Sequence, residues 1–428
     1  MTSERRFEQD LPRLLDELYM GPMPAYRDDV IRRTARIRQR PAWSFVERWL
    51  PVVEVVRRPI PWRSIGLVAL LAAISLALLA ALIVGSQRRV PPPFGLARAG
   101  LVAYAAGGDI YTVDPATSIS TAVVTGPETD SAPQWSRDGM QFVFLRGTDD
   151  QADGIQLSLA YVARADGTDL RLVTPEPITI TGLHGFSPNG REILLTVNNL
   201  GTQQLVVADT DGGGLRTLDV GTTRVAAGDA GPSWRPPEGN EILFAKGDRS
   251  LHVVELETGA VRTIVGPTDL LRRGTPEWSP DGSRIAYIEW MDVEGMTAQI
   301  HIARADGTDD RILPLPPGAI WQAFRSWSND GTRVLAIRGF TGGYEEAVAA
   351  VVPVDGSGTG IEIDYSAIIP PACCPEWEWA PDDLSILGIA PGLQGSPATQ
   401  MLLDPIAGTG TAVRWTTSSL PAWQRLAP

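Results

Sequence analysis

Pro276-Glu277-Trp278-Ser279-Pro280-Asp281-Gly282-Ser283-Arg284-Ile285-Ala286-Tyr287 reads as a tight turn feeding a strand. Pro280 fixes the first corner, and Gly282 supplies the positive φ that such a reversal needs. Asp281 is suited to accept hydrogen bonds from N–H groups of its own turn. The alternation that follows, Arg284-Ile285-Ala286-Tyr287, has the period of a half-buried strand.

The same plan recurs on both sides. SRDG follows Trp135, SPNG follows Phe186, RPPEG follows Trp234, SNDG follows Trp327 and APDD follows Trp379. These aromatic positions stand 51, 48, 44, 49 and 52 residues apart, and Trp423 follows after another 44. Each turn leads into a short β-rich alternation, and further strands follow, as in 157–174, 203–218, 251–264 and 299–313. Periods of about 40–50 residues with several short strands are the signature of propeller blades. The first unit (100–126) lacks an inner Trp-turn segment, and the chain ends on Pro421-Ala422-Trp423 with no further strands. The last strand is therefore expected to complete the blade begun by the first, leaving no free sheet edge. The expected fold is all-β, a seven-bladed β-propeller, with six or eight blades left open by the irregular stretch 341–372.

These repeats resemble those of the TolB-like, PD40 (WD40-like) β-propeller family, and the resemblance covers about 97–428. Phe186 in place of tryptophan, Arg235-Pro236-Pro237-Glu238 in the third turn and Asp383 in place of glycine depart from the pattern. In such families the propeller is usually a non-catalytic platform. TolB itself is periplasmic and binds protein partners through the mouth of its channel, and in prolyl-oligopeptidase relatives a similar propeller filters substrate for an attached hydrolase. The resemblance thus implies recognition rather than catalysis.

Ahead of the repeats, 64–87 is an uncharged run of 24 residues, SIGLVALLAAISLALLAALIVGSQ. At about 1.5 Å per residue a helix of that length crosses a bilayer core. The expectation is a single-pass protein of the cell membrane, with membrane lipid as a partner along 64–87. Residues 1–63 would form a helical, Arg-rich cytoplasmic region, 88–96 a Pro-rich stalk and 97–428 an extracytoplasmic propeller. The arginines of 1–63 favour a cytoplasmic N-terminus. Among them, Arg32, Arg33 and Arg36 are candidates to contact a cytoplasmic regulatory partner; topology signal and lipid contact are the competing reading. The layout is also similar to membrane-spanning anti-sigma factors. No His or Cys precedes residue 184, so the zinc-binding signature of that group is absent.

Net charge is −13, and residues 90–428 hold 22 basic against 41 acidic groups. A phosphate backbone needs a basic footprint, so nucleic acid is excluded as a partner. Two cysteines and three scattered histidines, His184, His252 and His301, leave no Cys- or His-built metal centre. Asp/Gly clusters such as 209–214 and 306–310 read as hairpin loops, with weak calcium binding as the lesser reading; no other cofactor is expected. No Gly-x-Ser-x-Gly elbow is present. Cys373 and Cys374 are either a strained vicinal disulfide or two buried thiols. Trp377 and Trp379 beside them, with Tyr344 in the loop 339–347, are candidates for an interaction surface.

The chain therefore reads as a non-catalytic module that recognises a protein, peptide or glycan outside the membrane and signals across it. The alternatives are an anti-sigma-like regulator acting through 1–63 and, below it, a hydrolase. The hydrolase would require acids and a histidine with displaced pKa values at one end of the propeller channel.

Overall fold

In the computed structural model the described residues are 70–72, 75, 95–152, 155–199, 201–220, 231–267, 272–291, 298–340, 348–365, 368, 376–390, 399–417 and 419–427. Their strands all lie in the second of two compact units, Arg88–Pro428.

The strands form seven antiparallel four-stranded meanders in a propeller-like arrangement. Blade 1 joins β1 (Arg98–Ala106), β2 (Asp109–Asp114) and β3 (Ile119–Val124) to the last strand, β28 (Ala422–Leu426). Blade 2 is β4 (Thr129–Trp135), β5 (Gln141–Ala152), β6 (Ile155–Arg164) and β7 (Arg171–Leu172). Blade 3 is β8 (Ile180–Phe186), β9 (Glu192–Asn199), β10 (Thr202–Asp209) and β11 (Leu215–Thr217). Blade 4 is β12 (Ser233–Trp234), β13 (Glu241–Ala245), β14 (Leu251–Glu255) and β15 (Val261–Val265). Blade 5 is β16 (Arg272–Trp278), β17 (Arg284–Trp290), β18 (Ala298–Arg304) and β19 (Arg311–Ile312). Blade 6 is β20 (Ala319–Trp327), β21 (Arg333–Phe340), β22 (Val348–Pro353) and β23 (Ile361–Ile363). Blade 7 is β24 (Glu376–Trp379), β25 (Ile386–Ala390), β26 (Thr399–Asp404) and β27 (Thr409–Ala412). Blades 5 and 6 also touch through one backbone pair, Ala298 opposite Trp321.

The ring closes where its two ends pair. Strand β28 lies antiparallel to β1, with Arg98 opposite Leu426 and Ala103 opposite Ala422. Hydrophobic burial then occurs between blades, in seven separate clusters. Each holds one of the recurring aromatics: Trp135 between blades 1 and 2, then Phe186, Trp234, Trp278, Trp327 and Trp379 around the ring, and Trp423 between blades 7 and 1. Three of these tryptophans also tie their blade to the preceding one. Indole Nε1 of Trp135 donates to the Ala422 carbonyl at 3.1 Å, and those of Trp234 and Trp327 donate to the Gly185 and Glu277 carbonyls at 3.4 Å. Three of the recurring tryptophans thus find the partner that a buried indole N–H favours. Among the described residues Nε1 of Trp278, Trp379 and Trp423 has none and blade 3 carries Phe186 here, so packing between blades is what all seven positions share.

The turns act the same way. Ser279 Oγ donates to Asp281 Oδ1 at 2.6 Å while the N–H of Ser283 donates to the same oxygen, and Ser136/Asp138 and Ser328/Asp330 repeat the pattern. Gly282, at φ +67°, leaves no room for a side chain: a Cβ there would lie 2.0 Å from the Pro236 carbonyl oxygen of the preceding turn. Glycine in this turn therefore serves both its curvature and the approach of neighbouring blades.

The membrane expectation is corrected here. Among the described residues no helix is long and apolar enough to cross a membrane. Of 64–87 only 70–72 and 75 are described, as helix, and the rest of that run, like 1–63 and 88–94, lies outside the described residues. An apolar composition is not enough, because a span requires about 20 residues of continuous helix. The transmembrane helix, the helical N-terminal region, the lipid partner along 64–87 and the single-pass placement of the chain in a cell membrane are accordingly withdrawn.

Candidate functional site in the axial cavity

Two adjoining cavities, about 330 and 590 Å³, open along the axis. Their walls come from the innermost strand of every blade (β28, β4, β8, β12, β16, β20 and β24) with the turn that follows it, and they share Gln134, Arg137, Trp234, Pro236 and Asn329. The axial position is therefore the one place where all seven repeats converge.

The repeat position after the turn serine, proline in the best copy, forms a ring at one end. Around it stand Arg137, Pro188, Pro236, Pro280, Asn329, Pro381 and Arg425, one from each blade. Four prolines make a rigid apolar collar, and the three exceptions carry the polar chemistry. Asn329 uses what proline lacks: its backbone N–H donates to Asp383 Oδ1 at 2.8 Å, and its Nδ2 donates to the same oxygen. The N–H of Asp330 donates to Asp383 Oδ2 at 2.9 Å. Asp383 stands where other turns have glycine and adopts φ +58°. The two departures from the repeat pattern thus form one clasp between blades 6 and 7. Asn329 Oδ1 in turn accepts from Arg425 Nη1 at 2.6 Å, and Arg425 Nη2 donates to the Gly95 carbonyl at 2.6 Å. Arg425 is fixed by these bonds.

Arg137 differs. Among the described residues it has no ion-pair partner, and its buried Nε makes no hydrogen bond. Burial first, and the neighbouring Arg425 charge second, bring its pKa down to about 9. Burial lowers that of Arg425 as well, with Asp383 pulling the other way.

One residue before the aromatic, the wall carries two carboxyls at equivalent repeat positions, Glu277 and Glu378. Each keeps some area open to the cavity but is surrounded by protein, and this desolvation pushes each pKa up to about 8. The opposing influence is small: one backbone N–H apiece, from Trp327 and from Trp423, the latter to Glu378 Oε1 at 3.1 Å. Both are neutral acids at pH 7. His184, in the wall of the larger cavity, is also neutral, because burial lowers it to about 4; its Nε2 lies 2.7 Å from Thr196 Oγ1. Asp383 is raised by burial too. With Arg325 also in the wall, the cavity is cationic at neutral pH inside an acidic domain.

The sequence-predicted positions fare differently. Trp377 is buried between blades 6 and 7, its ring 5.4 Å from that of Tyr365. Trp379 is buried in the same cluster, with an edge on the smaller cavity. Both sit on β24, whose side chains face the blade interface and the axis, so neither is displayed on an outer loop. Tyr344, Arg32, Arg33, Arg36, Cys373 and Cys374 lie outside the described residues. His301 sits on blade 5 with Nδ1 3.1 Å from Asp310, stacked on Tyr287, and His252 contacts Ser250 Oγ at 2.6 Å; neither lines the cavities. Asp166, Asp306 and Asp211 each accept from N–H groups of their own hairpin. Among the described residues no three His, Cys, Asp or Glu side chains converge as metal ligands. Arg137, Arg425, Glu277 and Glu378 were missed by sequence reasoning, although SRDG for SPDG was a visible signal.

No family model matches the chain. It is 28% identical over 187 residues to an uncharacterized protein of Agrobacterium fabrum, covering 37% of this chain and 55% of that one, so the chain spans about half the length of that relative. Among solved structures it is similar to an oligogalacturonate lyase of Vibrio parahaemolyticus, at 14% identity and a TM-score of 0.52, over 74% of this chain and 85% of the lyase. It is also similar to TolB of Acinetobacter baumannii, at 15% identity and a TM-score of 0.47, over 76% and 81% of the two chains. A prolyl endopeptidase aligns at 14% identity and a TM-score of 0.48, over 67% of this chain and 43% of that enzyme. At such identities the likeness is one of fold. The propeller-like fold expected from the repeats therefore stands, without the membrane-anchored form. These neighbours include enzymes as well as TolB, and neither catalysis nor its absence follows from them.

Proposed function

We propose that the propeller is a recognition module that receives an extended segment of a partner protein at the arginine-bearing mouth of its axial cavity. One observation carries this reading: all seven inner strands contribute to the two adjoining axial cavities, and two of the three polar exceptions in the proline ring, Asn329 and Arg425, are held by the clasp with Asp383. Rigid walls with a few oriented polar groups suit the binding of a chain segment. Leu420 lies exposed on the rim. Random peptides panned against the full-length protein are expected to yield binders whose affinity falls at least tenfold when Leu420→Trp narrows the mouth. Binders indifferent to that change would place recognition elsewhere and sink the proposal.

A second reading, catalysis, has one observation in its favour. Glu277 is a neutral acid sharing a cavity wall with His184, and a carboxyl held protonated at pH 7 is what a general acid requires. The expected result under the recognition reading is that peptides bound by the full chain are recovered unchanged. Turnover lost in Glu277→Gln would favour the catalytic reading instead.

A further inference from the structure

We infer that Arg137, backed by Arg425, forms a carboxylate-binding site at the mouth of the axial cavity, selective for an acid carried on an apolar body such as the C-terminal residue of a peptide. This rests on the recognition reading for its peptide source but not for its chemistry.

Four features point to this ligand. Arg137 is a buried cation of the cavity with no partner among the described residues: no carboxylate pairs with it, and its Nε makes no hydrogen bond. Arg425, contributed by the adjacent blade and lining the same cavity, is held by Asn329 and Gly95. It therefore adds positive charge without being free to turn away. Two neighbouring guanidiniums repel, and an entering anion relieves that repulsion while satisfying the Arg137 fork, the geometry that guanidinium offers to a carboxylate. Third, the wall beside them includes the apolar side chains of Trp135, Trp379, Trp423, Pro188 and Pro381. An anion with an apolar body buries area there that a bare inorganic anion does not. Fourth, the domain around the cavity is strongly acidic, with 41 acidic against 22 basic groups in residues 90–428. Free anions are therefore not concentrated at its outer surface, and Arg137 and Arg425 are the groups that offset this charge locally at the cavity mouth.

The test uses the full-length chain with 4-phenylbutyrate, its amide 4-phenylbutyramide and inorganic phosphate, followed by calorimetric titration and thermal shift at pH 7. The carboxylate is expected to bind and raise Tm, the amide to bind at least tenfold more weakly, and phosphate to give no comparable shift. Arg137→Gln should erase the difference between acid and amide, while Arg137→Lys, which keeps the charge without the fork, should retain part of it. Circular dichroism of the unliganded variants identifies any that have not folded, and Arg137→Lys then decides. Equal binding of acid and amide, or an undiminished preference in Arg137→Gln, would overturn the inference. Phosphate binding as well as the carboxylate would overturn its selectivity for an apolar acid. If panning fails but phenylbutyrate binds, peptide recognition falls and this site stands; if panned peptides bind equally well when amidated, the reverse holds.

Discussion

Deletion of residues 420–428 is expected to abolish the cooperative unfolding transition of the propeller, although it removes only a single described strand. That strand supplies the backbone pairing of β28 with β1, the Trp423 side chain of the cluster between blades 7 and 1, and the Ala422 carbonyl that accepts the Trp135 indole N–H. It also supplies Arg425, which joins Asn329 to Gly95. Without it, β1 becomes an exposed edge and two blade interfaces open. Replacing a buried tryptophan by alanine alone costs about 3–5 kcal/mol, against a net stability on the order of 5–15 kcal/mol for a domain. The expected outcome is loss of a sigmoidal transition in urea followed by tryptophan fluorescence, with Trp423→Ala shifting the midpoint strongly while keeping the transition. A truncated chain that unfolds like the full one would show that the ring does not depend on its last strand.

A second large effect concerns pH. Glu277 and Glu378 have folded-state pKa values raised from 4.5 to about 8. A carboxyl with a raised folded pKa binds its proton more tightly in the native state than in the unfolded chain. Its stabilising contribution is complete below about pH 4.5 and is lost progressively as pH rises to about 8, beyond which it changes no further. At about 1.4 kcal/mol for each tenfold gain in proton affinity, each group accounts for roughly 5 kcal/mol across that window. The acidic chain's growing self-repulsion acts in the same direction, so the informative quantity is the difference between wild type and variant. Glu277→Gln and Glu378→Gln each keep an oxygen to accept the neighbouring backbone N–H. Each is expected to raise Tm at pH 8 and to flatten the fall between pH 4.5 and 8, with little change at pH 4. Parallel Tm–pH curves for variant and wild type would show that these carboxyls are not desolvated in the wall.

The propeller arrangement was legible because the repeat repeats its chemistry as well as its spacing. An aromatic buried in every interface between blades, and a glycine that another blade's carbonyl approaches within 2.0 Å of a would-be Cβ, tolerate little variation. The phase of the repeats also made the closing strand readable, since Pro421-Ala422-Trp423 is an inner strand with no blade of its own. The site was less legible, because it lies in exceptions to the repeat. Asp383 reads singly as a departure from the turn pattern, and Asn329, 54 residues away, passes unremarked; only their contact shows that one compensates the other. Arg137 passes for an ordinary turn residue until the ring places it beside Arg425. Trp377 and Trp379 show the opposite error: aromatic density suggested a displayed surface, whereas β24 carries them into the interface between blades. The apolar run 64–87 was read from hydropathy alone, which does not establish a continuous helix.

The central claim is a ring closed by pairing of the first and last strands around an axial site. Its most direct measurement is a disulfide between positions that face each other only if the ring is shut. Arg98 and Leu426 are opposite partners in the β1–β28 ladder, and cross-strand neighbours of this kind have the Cα separation that a disulfide accepts. In the full chain with Cys373 and Cys374 replaced by serine, Arg98→Cys with Leu426→Cys is expected to oxidise within a single molecule and yield one linked peptide by mass spectrometry after proteolysis. Two free thiols, or linkage only between separate molecules, would contradict the closed ring.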